Sequence, residues 1–107
     1  MGFKRKHSRV DVGRIGRLQR GALSAPCKVL DVSESGVCLE SRLYVKSGEE
    51  LRLVIELERG KTLTCELEVI HVRPPKLGAK IISISPENRD RLTHILDDHV
   101  QRSFSRG

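Results

Sequence analysis

Aromatic side chains are nearly missing from these 107 residues: there is no tryptophan, one tyrosine (Tyr44) and two phenylalanines (Phe3 and Phe104). Small barrels that bind single-stranded nucleic acid stack bases on several rings, so that class is disfavoured. Cysteines are few, odd in number and far apart. Cys27, Cys38 and Cys65 stand among alternating apolar residues and form no CxxC pair, which leaves neither a disulfide framework nor a zinc site. They read as small buried hydrophobes. His94 and His99, five apart, would leave a helix on different sides, so no metal and no cofactor is expected. Long apolar runs are absent as well: residues 51–57 are broken by Arg52 and Glu56, far short of the ~20 apolar residues that span a bilayer. No secretory-type apolar segment follows the basic start. A cytoplasmic location without membrane association is expected. GxSxG, P-loop and GxGxxG patterns are all lacking, so an enzyme is not expected.

What is present is an uneven distribution of charge. Residues 1–20 hold seven basic side chains (Lys4, Arg5, Lys6, Arg9, Arg14, Arg17 and Arg20) against Asp11, or 7 − 1 = +6, which is the whole formal net charge. Residues 21–107 hold thirteen basic and thirteen acidic residues. A formally neutral body with a cationic start should recruit something anionic. The expected division is an arm over residues 1–9 and a single domain over 10–102.

Periodicity supplies the elements of that domain. Leu51, Leu53, Ile55 and Leu57 alternate with charged or smaller residues, as do Leu63, Cys65, Leu67 and Val69, and both segments read as half-buried strands. Arg59-Gly60-Lys61 between them suits a hairpin. A phase change to Ile70 and Val72 predicts a bulge. A first strand carries Val10, Val12, Ile15 and Leu18, slipping near Gly13 and Gly16; others cover 27–32, 37–41 and 77–84. Six strands without intervening helices predict an all-β antiparallel barrel or sandwich, with a core including Leu53, Ile55, Leu67, Val69 and Ile81. Ser85-Pro86 then reads as a cap and first helical residue, and Leu92, Ile95, Leu96 and Val100 form the apolar stripe of a helix over about 86–102.

Two motifs bracket the first hairpin. Arg5-Lys6-His7-Ser8-Arg9 is an RxxxR immediately before the first strand, and Asp31-Val32-Ser33-Glu34-Ser35-Gly36 is a DxSxxG between the second and third. Each alone is ordinary: basic starts are often solvated, and Asp, Ser and Gly are common turn residues. Together, and in this order with the strands, Gly78-Ala79-Lys80-Ile81-Ile82 and the Ser-Pro-Glu helix start, they resemble the PilZ family of bacterial cyclic di-GMP receptors. The resemblance implies a six-stranded antiparallel β-barrel with one C-terminal helix. It also implies that Arg5, Arg9, Asp31, Ser33 and Gly36 contact the ligand, with Lys4 suited to a second, intercalated ligand molecule.

Residue chemistry agrees with that implication. Arginine forks grip phosphate or the O6/N7 edge of guanine and stack on purines; a carboxylate accepts from guanine N–H groups and a serine hydroxyl donates to phosphate. Residues 1–8, with Phe3 their one large apolar group, bury too little to offset ordering entropy without an anion, so the arm is expected to order around ligand. The expected function is a cyclic di-GMP receptor and effector module that signals through a separate, unidentified partner protein. The alternatives are a PilZ-like protein–protein adaptor that binds no ligand and, behind it, a small nucleic-acid-binding barrel.

Overall fold

The structure, a computed structural model, describes residues 10–106 in backbone and 10–98 in side chain. The chain runs β1 (Val10–Arg20), β2 (Leu23–Val32), β3 (Gly36–Ser41), β4 (Glu50–Glu56), β5 (Thr62–Arg73), β6 (Lys76–Ser83) and α1 (Pro86–Arg106). The six strands close into a barrel in the order β1-β2-β3-β6-β5-β4, every pairing antiparallel. Closure removes free sheet edges, so backbone donors and acceptors are paired around the ring. This is the all-β barrel with a C-terminal helix that the periodicity and the family resemblance led us to expect.

The interior is aliphatic because alternate residues of each strand point inward. Leu18, Val29, Leu39, Leu53, Ile55, Leu67 and Val69 are fully buried, and Cys27 and Cys65 fill gaps between them. Burial pushes the Cys27 thiol up to about 11, against a smaller lowering by Arg17. Burial, with Glu66 adding to it, raises Cys65 to about 12. Ile81, expected in the core, is only partly buried and packs against its margin.

Strand β1 differs from its sequence reading in a way that matters for the outer surface. The pairing with β2 shifts between Asp11 and Arg14, and Gly13 sits there at φ +56°. Gly16 and Leu18 point inward, in step with the half-buried Val10 and Val12, while Ile15 is 55% exposed. Gly16 accepts the inward place because a Cβ there would lie 2.6 Å from the Val54 carbonyl oxygen. The bulge expected after Val69 is present as a register shift between Val69 and His71.

Helix α1 closes one side. The Ser85 hydroxyl accepts from the Asn88 amide at 3.2 Å and its carbonyl from the Arg89 amide at 2.8 Å, as the cap of a helix beginning at Pro86. Leu92 and Ile95 are buried and Leu96 packs partly against the core. The helix runs on to Arg106, beyond its expected end. Among the described residues no helix is long and apolar enough to cross a membrane.

Candidate ligand site on the outer barrel face

The β2–β3 connection is a tight turn organised by Ser33. Its amide donates to the Gly36 carbonyl oxygen at 2.9 Å, and its Oγ accepts from the amides of Ser35 and Gly36 at 3.3 and 3.2 Å. Ser33 is only 4% exposed, so its hydroxyl acts within the turn, where a serine side chain substitutes for a backbone acceptor. Gly36 is fixed by its neighbour strand: a Cβ there would meet the Ala79 carbonyl oxygen at 2.8 Å. The Ile81 amide donates to the Ser35 carbonyl oxygen at 2.8 Å. These bonds moor the turn to β6 as well as to its own hairpin.

Asp31 lies just before this turn, directly after a register shift between Val29 and Asp31. It pairs across β1 with Asp11. Directly opposed residues of an antiparallel pair share a face, so two carboxylates stand together on the outside of the barrel. Like charges there are unfavourable and a cation relieves them. Val10, the first residue of β1, pairs with Val32. The basic arm is therefore joined to the barrel at the strand end beside the Asp31–Gly36 turn. Lys4, Arg5 and Arg9 themselves lie outside the described residues.

One further residue of this face, His71, was not singled out by the sequence. The registers align Asp31 with Cys38, Cys38 with Gly78, and Gly78 with His71, one row crossing β2, β3, β6 and β5. The His71 ring covers Gly78, with Cε1 2.6 Å from where a Cβ would be. Cys38 is small and the ring fills the space above Gly78, so the row offers a shallow bed over Cys38 between the Asp31 and His71 positions. A glycine inside a strand pattern was the available clue, since it often marks close approach of another group.

A small closed antiparallel barrel, with a basic segment leading in sequence into its first strand beside a serine-organised turn, is the framework of this chain. The chain belongs to the PilZ domain family, whose model matches residues 3–98. That family comprises cyclic di-GMP receptors and effectors, ligand-binding and adaptor modules rather than enzymes. No curated protein matches the chain by sequence. Among solved structures it is similar to the Bacillus subtilis inhibitor of motility, MotI/DgrA, at 21% identity and a TM-score of 0.76, covering 97% of this chain and 53% of that one. MrkH of K. pneumonia in its apo state is similar at 14% identity and 0.74, over 94% and 53%. The PilZ domain of CeSA from a cellulose-synthesizing bacterium matches at 12% and 0.69, over 84% and 98%. The chain thus spans about half the length of the MotI and MrkH chains, and at these identities the likeness is one of fold.

Proposed function

We propose that this protein is a cyclic di-GMP receptor whose basic arm closes over ligand held on the outer face of the barrel, and that it passes the signal to a separate protein partner. What supports the reading is the register: Val10, which directly follows the RxxxR motif in the sequence, pairs with Val32 within the DxSxxG motif. The ligand is a compact dianion with two guanines. Arg5 and Arg9 supply two planar forks for phosphate and for the guanine O6/N7 edge. Asp31 accepts from guanine N1 and N2 hydrogens. Ser33 and Gly36 contribute the turn whose backbone meets the ligand, and the bed over Cys38 seats a purine against His71. Bound phosphates and arginines also neutralise one another beside the Asp11–Asp31 pair. Lys4 adds a cation suited to a second, intercalated ligand molecule.

Calorimetric titration with cyclic di-GMP tests the proposal. Saturable binding is expected, and Arg9→Ala should weaken it roughly 10- to 100-fold, because a hydrogen bond to a charged group contributes about 1.5–3 kcal/mol. Binding unchanged in that variant would remove the arm from the mechanism; no binding by the unaltered protein would leave it an adaptor. A saturating ratio of one ligand per chain would discard the Lys4 role. Comparable affinity for a single-stranded oligonucleotide would favour the nucleic-acid class.

A further inference from the structure

At the far end of the β2–β3 hairpin from the Asp31–Gly36 turn, the barrel carries an apolar groove that the ligand reading leaves unused. Asp31 and Pro26 are five positions apart on β2, about 17 Å along a strand, so the two features are separate. The groove consists of two adjoining hollows of about 460 and 710 Å³, which share Ser41, Arg42, Leu43 and Pro75. Its apolar surface comes from Ile15, Pro26, Leu43, Tyr44 and Pro75. Ile15 is 55% exposed and Tyr44 75%. Contiguous exposed apolar surface of this kind marks an interaction site more often than isolated exposed residues do.

The groove is preformed. The Ser41 amide donates to the Pro75 carbonyl oxygen at 2.9 Å, its hydroxyl donates to the Pro26 carbonyl oxygen at 3.2 Å, and the Leu43 amide donates to the same hydroxyl at 3.1 Å. On the outer side Arg20 donates to the Tyr44 carbonyl oxygen at 2.8 Å and to Glu49 at 3.0 Å, and the neighbouring Val45 is buried. A surface held this way loses little entropy when something docks.

Charge identifies the occupant. Lys28, Arg42 and Lys76 line the groove against Glu40 alone, and the registers place Lys28 and Lys76 on either side of Glu40. Exposed Arg73 pairs with Lys76 at the next strand. Among the described residues none of these four cations closes an ion pair. We infer that this cation-rimmed groove docks a partner protein through a segment that carries an apolar anchor flanked by Asp or Glu. The anchor enters the hollows beside Tyr44 and Leu43, and its flanking carboxylates meet Arg42, Lys76 and Lys28. A nucleic acid fits less well, since Tyr44 is the sole ring at the groove and single strands need several. A second copy fits less well too: Glu40 is the one carboxylate lining the groove, so a self-complementary contact of this face would set the cations of one copy against those of the other.

The test is peptide phage display on the full chain, followed by fluorescence polarisation with a labelled synthetic peptide of the enriched sequence. Enriched peptides should carry Leu, Phe or Tyr flanked by acidic residues. Tyr44→Asp and Arg42→Glu, both at exposed positions, should each weaken the peptide tenfold or more, and affinity should fall as salt is raised. Cyclic di-GMP titration of the same variants should match the unaltered protein, which separates failure here from failure of the receptor reading. The inference is overturned by no enrichment, by enriched peptides without carboxylates, or by binding indifferent to both substitutions. It is equally overturned if Arg42 and Tyr44 instead govern binding to phosphatidylglycerol vesicles or a single-stranded oligonucleotide, or if sedimentation shows self-association that Tyr44→Asp abolishes.

Discussion

Two glycines of the outer face make opposite demands on their surroundings. A methyl group on Gly36 would press on the Ala79 carbonyl oxygen at 2.8 Å, whereas one on Gly78 would meet the end of the His71 side chain. Backbone in a closed barrel cannot step aside and an exposed ring can. Gly36→Ala should therefore destabilise the protein by about 1–3 kcal/mol, while Gly78→Ala should stay within about 1 kcal/mol, as read from urea midpoints at constant slope. The sequence showed Gly36 as a motif residue, but the contact that requires it comes from β6, over forty positions away. Local spacing contains no trace of that contact. The same holds for Ser33: its type and place were legible, while the turning of its hydroxyl into the turn depends on burial beneath neighbouring strands. The buried thiols carry a second expectation. With folded values of about 11 for Cys27 and about 12 for Cys65 against 9.0 for an ordinary thiol, the folded state keeps its protons where the unfolded chain releases them. Their contribution to stability is complete below pH 9 and is lost as pH rises through 11 to 12. Denaturation measured from pH 8 upward should show a shallower alkaline decline in Cys65→Val than in the unaltered protein.

Elements announce themselves when one face is apolar and the other is not. In β4, and in β5 as far as Val69, the alternation was complete, and both strands stand where periodicity put them. Strand β2 starts at Leu23 rather than Cys27, because exposed Leu23 and Ser24 pair with Arg20 and Gln19 through a hairpin at Gly21. Pairing of exposed positions leaves no hydrophobic pattern to read. Ile15 misled for the converse reason, an apolar residue on the outward side of the β1 alternation, at the groove. Helix α1 was legible from cap and stripe, but its tie to the sheet was not: Asn88 accepts from the Thr64 amide at 3.0 Å and donates to Ser85 at 2.8 Å, and Arg91 bridges to the Thr62 carbonyl oxygen and to Glu87. Asn88→Ala leaves the β5 amide without its acceptor beneath the helix, and should cost about 1–3 kcal/mol. Leu92→Ala removes a buried anchor of the same helix and should cost about 2–5 kcal/mol. Thermal denaturation that ranks Leu92→Ala at or below Asn88→Ala would show that the helix is held by its polar tie rather than by its stripe.

At the scale of the whole molecule, charge and rigidity are segregated. The barrel is closed, aliphatic inside and hydrogen-bonded around its circumference, so ligand binding on one outer face has little to rearrange within it. Residues 1–20 carry the whole formal net charge, four of the six positive charges falling in residues 1–9, and Val10, where the barrel begins, lies beside the Asp31–Gly36 turn. On the proposed reading the arm gathers over the ligand, and the surface so created, partly protein and partly nucleotide, is what a partner meets. The expected signature in amide hydrogen exchange is local. Added cyclic di-GMP should slow exchange in residues 3–10 and around Asp31–Gly36, while β4 and β5, with Leu53, Ile55, Leu67 and Val69 already buried, should exchange as before. Ligand that stabilises the fold by mass action alone would instead slow the most protected amides of every strand, because those exchange by global opening. Slowing spread over the barrel and missing from residues 3–10 would sink the arm mechanism, even with ligand demonstrably bound.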